Sequence, residues 1–338
     1  MTIKSDRIAF WDNLKGFLIL LVVFGHLLEL IPGGKASLLY KVIYLFHMPL
    51  FVFCSGYLSS YSPQKIVKQL LLPYLVMQVV LCHLMEEPLQ FTTPCWLLWY
   101  LAAMIAWRMM IPFFDLVQEK QRPFAVAAAF VLAFLCGFDG SIGRYGALSR
   151  IICYLPWFLM GYYLRLHLKA CPDLRRRLNS READPVLRQV VLVLLSAAVL
   201  WIMTVDARQY PASWLYNAEG YPSDPRALKA RIGQYAAAFI LGALVLTWMP
   251  HRRCLLTPIG SASMYLYLGH PFLREFLSDA GLFHSGGAED FLLAAALSVL
   301  FCAVVAGLVQ QLPALRARWA NRHPLTLRRS TRARTPNS

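Results

Sequence analysis

The sequence is short of charge: 15% of its 338 residues are Asp, Glu, Lys or Arg, against roughly a quarter in ordinary soluble domains. Acidic residues are the scarcer sign, 18 against 33 Lys and Arg. With 58% hydrophobic residues and a mean hydropathy of +0.50, this deficit excludes a water-soluble domain. No cleavable leader is expected either: residues 1–11 are polar and charged, and no small-residue cleavage pattern follows the first apolar run. That run is expected to stay as the first helix. The eight cysteines form no CxxC pair and no metal-like grouping, so they read as small hydrophobes and no metal is expected. No internal repeat is visible.

What the sequence does have is long apolar runs. At ~20 residues per crossing, they predict helices over 14–31, 37–58, 66–85, 94–114, 124–138, 148–168, 186–205, 232–249, 258–278 and 290–312. The expected fold is all-α, a polytopic transmembrane bundle of about ten helices forming one membrane domain over 1–315. The tail, 316–338, is basic and poor in apolar residues, so it is expected to be disordered and drawn to the anionic inner leaflet.

The net charge of +15 does not point to nucleic acid, because Lys and Arg gather in alternate loops and in the tail. Excess basic residues mark cytoplasmic loops. The rule places Lys65, Lys68, Lys120, Arg122, the basic run 169–181, Arg252, Arg253 and both termini in the cytoplasm, and makes the protein a multi-pass component of the inner or plasma membrane. Trp96, Trp99, Trp157, Trp201 and Trp214 fall near predicted helix ends and read as interface anchors. The segment 204–230, with Pro211, Pro222, Pro225 and several aromatics, is the one long outer loop and a candidate lip over a binding site.

An ionisable side chain in hydrocarbon costs at least ~2.5 kcal/mol on insertion scales, so each one needs a reason. The first predicted helix holds Lys15, His26 and Glu29. Eleven residues at ~100° each bring Lys15 and His26 to within ~20° of one face, with a rise of roughly 16 Å. Lys15 can snorkel to the interface; His26 cannot, and needs a hydrogen-bond partner. Glu29, one turn on, can hold one ring nitrogen and leave the other as a general base. His47 lies near mid-membrane two residues before Pro49, where it either satisfies the backbone freed by the proline or joins a site. Arg150 opens the sixth predicted helix with Tyr154 one turn later, and His270 lies in the outer half of the ninth. Arg108 sits in the inner half of the fourth, within snorkelling range. His26, Glu29, Arg150 and His270 fall at similar outer depths in three helices, which points to a shared cavity.

Trp11-Asp12-Asn13-Leu14-Lys15-Gly16, followed by Val22-Val23-Phe24-Gly25-His26, resembles the opening motif of the acyltransferase family 3 membrane proteins, and within them most the fucose 4-O-acetylase-like branch. The family pattern of a basic residue, ten residues, then His is matched by Lys15 and His26. The segments 44–57, Trp99-Tyr100-Leu101, 155–162 and the surroundings of His270 resemble the branch in the same order. The resemblance implies an acyl-CoA donor, usually acetyl-CoA, and a sugar hydroxyl in a glycan or glycolipid as acceptor. It makes Lys65 and Lys68 the family's pair of basic residues before the third helix, although both are Lys where Arg is commoner. Lys15, Lys65, Lys68 and Arg108 would then neutralise the CoA phosphates, and His26, Glu29, His47, Arg150 and His270 would form the catalytic group. The expectation is one internal chamber open to donor and acceptor alike. A transporter or flippase using the same polar residues as a pathway, or a membrane subunit without catalysis, are the alternatives.

Overall fold

The computed structural model describes residues 2–171, 186–207, 211–222 and 224–322. Among them every apolar run has become helix and no strand occurs. In chain order the helices are α1 (Thr2–Leu28), α2 (Gly34–Leu58), α3 (Pro63–Ile66), α4 (Leu72–Leu84), α5 (Trp99–Asp115), α6 (Arg122–Cys136), α7 (Leu148–Ala170), α8 (Val186–Ala207), α9 (Pro225–Trp248), α10 (Leu256–Ser261), α11 (Ser263–Asp279) and α12 (Ala288–Arg322). A π-turn at Val67–Leu71 joins α3 to α4, so the predicted third helix is one rod with a local bulge.

The chain is a polytopic helical bundle. Among the described residues, six stretches are long and apolar enough to cross a membrane: Ala9–Leu28, Gly34–Leu58, Pro63–Leu84, Trp96–Asp115, Pro225–Trp248 and Ala288–Leu312. The remaining predicted spans are helical as well. α6 has only 15 residues, while α11 is 17 residues long and carries Arg274, Glu275 and Asp279. Most of the basic run, 172–181, Arg208 and the tail beyond Arg322 lie outside the described residues; α12 continues helically through 316–322.

Two close crossings hold the bundle, each through small residues that let backbones meet. Between α2 and α7, a Cβ on Gly56 would lie 2.1 Å from the Phe158 carbonyl oxygen, and one on Gly161 would lie 2.0 Å from that of Phe53. Between α1 and α10, a Cβ on Gly260 would lie 1.7 Å from the Asp12 carbonyl oxygen. Asn13, fully buried, fixes the same junction. Its Nδ2 donates to the carbonyls of Pro250 (2.9 Å) and Arg252 (2.8 Å), and its Oδ1 accepts from Thr257 Oγ1 (2.6 Å). Trp11 stacks on Tyr57. Much of the opening motif therefore ties α1 to its neighbours.

α1 ends at Leu28, just ahead of Pro32-Gly33-Gly34, where Gly33 adopts φ +105, a left-handed value that glycine reaches without strain. The chain then turns into α2. This turn sets Glu29 directly beyond the end of α1, at the mouth of the bundle.

Candidate active site

A cavity of about 320 Å³ opens at this end of the bundle, within the range typical of small-molecule sites. It brings together His26, His47, Arg150 and His270 from α1, α2, α7 and α11, and Glu29 from the turn after α1. The rest of its wall is largely aromatic: Tyr40, Tyr44, Trp96, Trp99, Tyr100, Tyr216 and Tyr267. Trp96 and Trp99 thus face inward rather than serving only as anchors. Trp201, by contrast, is exposed on the surface, as an anchor should be.

The histidines share one pattern. His26 Nδ1 lies 3.3 Å from Glu29 Oε2, His47 Nδ1 lies 2.8 Å from the Ile43 carbonyl, and His270 Nδ1 lies 3.1 Å from the Leu266 carbonyl. Carboxylates and carbonyls only accept, so each neutral ring must carry its proton on Nδ1 and keep a lone pair on Nε2. His270 Nε2 is buried without a partner. His47 does not satisfy the carbonyl freed by Pro49, that of Leu45; its bond goes to Ile43, and its ring is left to the cavity. The rings of His26 and His270 lie 5.2 Å apart and nearly parallel.

Arg150 donates through Nε to the Tyr216 carbonyl (3.1 Å) and lies over the Trp99 ring at 4.8 Å, which leaves its two terminal nitrogens for the cavity. Tyr216 and Ala218 reach the cavity from the loop foreseen as a lip. Tyr154 stacks on Trp99 from behind and lines a smaller void.

Two contributors escaped the sequence reading. Arg274, one turn beyond His270, places Nε 3.4 Å from Glu29 Oε2 and its guanidinium 5.3 Å from the Trp96 ring centre; its spacing from His270 was the available signal. Gln78, buried in α4, donates to the carbonyls of Gln90 (2.6 Å) and Thr93 (3.0 Å) and accepts from the Cys95 N–H (3.0 Å). It fixes the loop that delivers Trp96 to within 4.8 Å of His26. A glutamine inside an apolar run was the trace of this role.

Lys15, Lys65, Lys68 and Arg108 are not among the residues that line the cavity. Lys15 pairs with Asp12 at 2.8 Å, and Lys65 and Lys68 are exposed beside the π-turn. Arg108 donates to Ser59 Oγ (3.2 Å), which donates to the Ser55 carbonyl (2.7 Å). Ser55 Oγ meets the Tyr100 hydroxyl at 2.5 Å, and Tyr100 belongs to the cavity wall. A row of polar contacts thus runs from Arg108 through Ser59 and Ser55 to Tyr100 in the cavity wall.

No group of His, Cys, Asp or Glu among the described residues is arranged to hold a metal ion. No solved structure matches the chain. Two proteins named nodulation protein NolL, from Sinorhizobium fredii and Mesorhizobium japonicum, are 48% and 49% identical to it over 61 residues. These matches cover 17% of this chain and only 17% and 16% of the relatives. The family model described as an acyltransferase domain matches residues 8–307. That span contains the whole cavity lining from Ile19 to His270, and the chain belongs to the acyltransferase family 3 membrane proteins, a family of integral membrane acyltransferases.

Proposed function

We propose that the protein moves an acyl group, acetyl in our reading, from acyl-CoA to a sugar hydroxyl of an envelope or secreted glycan, at the inner or plasma membrane. The observation that carries this is the set of Nε2 lone pairs in one aromatic-walled cavity, one of them on a ring held by a carboxylate. A hydroxyl becomes nucleophilic when a positioned base takes its proton as it attacks. His26 serves as that base: the sugar O–H gives its proton to Nε2 while the oxygen attacks the thioester carbonyl. Glu29 holds Nδ1–H and offsets the charge of the imidazolium. The tetrahedral intermediate collapses, the C–S bond breaks, and the leaving CoA sulfur takes the proton back from His26.

The oxyanion falls to Arg150. His47 and His270 hold their Nδ1 protons on backbone carbonyls and present acceptors, so as neutral rings they cannot donate to it. They suit neighbouring sugar hydroxyls instead, and the flat aromatic walls suit the apolar faces of a pyranose. Lys15, Lys65, Lys68 and Arg108 at the other end are the group for the CoA phosphates. The acyl arm then reaches His26 past the Tyr100–Ser55 contact, a distance compatible with the roughly 16 Å rise along α1.

Comparing envelope glycans of a parent cell and a deletion strain by mass tests the reading. An acyl increment lost on deletion, restored by the wild-type chain and not by His26→Ala at equal protein level, is the expected result. Full restoration by His26→Ala would remove the base from the mechanism.

A further inference from the structure

Arg231 lies behind the cavity with 1% of its surface exposed, and no carboxylate pairs with it among the described residues. A buried guanidinium in a membrane bundle calls for a specific task. Its Nη1 bonds Asn217 Oδ1; its Nη2 bonds the Ala133 carbonyl (2.8 Å) and Cys153 Sγ (3.3 Å). Tyr221 and Tyr235 stack over it. Asn217 itself sits in a left-handed conformation with φ 53.

What Arg231 holds is one end of a regular arrangement. Three successive carbonyls of the loop each accept from a different side chain: Leu215 from Gln234 Nε2 (3.0 Å), Tyr216 from Arg150 Nε (3.1 Å) and Asn217 from Ser149 Oγ (2.9 Å). With its backbone fastened from behind, the loop turns the Tyr216 ring toward Tyr44, 5.0 Å away, and Tyr40, 6.3 Å away. That ring is part of the cavity wall.

We infer that Arg231 and Asn217 are positioning residues for the acceptor. They lock the loop so that Tyr216 forms a fixed face against which the sugar binds, and acceptor choice resides in this loop rather than in the histidines. This rests on the acyl-transfer reading above. A fixed wall lowers the cost of ordering the site on binding. It touches acceptor in ground and transition state alike, so its loss raises KM and spares kcat.

The test pairs two substitutions at one position. Asn217→Gly tolerates the left-handed backbone and removes the oxygen that Arg231 holds; Asn217→Asp keeps an acceptor there. With purified protein in detergent or nanodiscs, Asn217→Gly should raise the KM for the glycan about tenfold. The KM for acetyl-CoA should stay unchanged and kcat should fall by no more than about threefold, while Asn217→Asp stays near the parent. Arg231→Met should reproduce Asn217→Gly. Hydrogen exchange across residues 211–222 should speed up in Asn217→Gly and Arg231→Met alone. Parental acceptor KM in Asn217→Gly, or equal loss in the Gly and Asp variants, overturns the inference. If the parent itself transfers nothing, the acyl-transfer reading fails, and unchanged exchange in Arg231→Met then refutes the lock by itself.

Discussion

The rings of His26 and His270 lie 5.2 Å apart with planes 20° from parallel, although α1 and α11 bring them from opposite ends of the chain. Each directs Nδ1 to a fixed acceptor, but only His26 has a carboxylate there. Two imidazoles this close cannot both be charged cheaply, and the one beside Glu29 is the one whose charge is offset. In the proposed mechanism the base is therefore chosen by its partner and not by its burial.

Loss of that partner should slow the chemistry without abolishing it. Glu29→Gln is expected to lower kcat on the order of 10²-fold, a usual scale for general-base assistance, with acetyl-CoA KM unchanged. His26→Ala should leave no transfer above background. Steady-state rates on purified protein decide, and a Glu29→Gln enzyme at parental rate would dismiss the pairing.

Bulk on the floor of the cavity should separate donor from base. Ser55→Phe adds a ring where Ser55 meets Tyr100, and is expected to remove transfer while the protein still accumulates. Ser55→Ala, which deletes only the hydrogen bond, should retain at least about a third of the rate, a change of under 1 kcal/mol in barrier. Normal activity in Ser55→Phe would place the donor route elsewhere.

The crossing of α2 and α7 depends on two missing side chains. Gly56→Ala and Gly161→Ala place a methyl within 2.1 Å of an opposing carbonyl oxygen, and overpacking of this kind costs roughly 1–3 kcal/mol or more. Melting in detergent should drop for both. Gly307→Ala, with nothing within 4 Å of the new Cβ, should melt like the parent.

Gln78→Leu strands the carbonyls of Gln90 and Thr93 and the N–H of Cys95. The Cys95 N–H is buried, and a buried group left unpaired costs about 1–3 kcal/mol. The loop before Trp96 should become cleavable by protease, and the transfer rate should fall as the Trp96 ring leaves His26. An uncut loop would show that the segment is held by other means.

The bundle was legible because lipid accepts only long apolar helices: every predicted run, from 14–31 to 290–312, became helix. The candidate residues His26, Glu29, His47, Arg150 and His270 were legible because polar groups at membrane depth are costly enough to stand out one by one. Arg274 and Gln78 stayed hidden: the ion pair of the first runs to Glu29 and the hydrogen bonds of the second to the loop backbone, and spacing along one helix does not report partners elsewhere in the fold.

The sequence by itself determined which stretches enter the membrane and which side chains must find polar company there, since both follow from transfer costs paid residue by residue. Only the tertiary structure decided which nitrogen of each histidine meets an acceptor, that a row of polar contacts runs from Arg108 to Tyr100 in the cavity wall, and that a buried arginine bonds the side chain of Asn217, next to Tyr216. Those are matters of direction and distance between helices, and they are set by how the glycine crossings let the backbones meet.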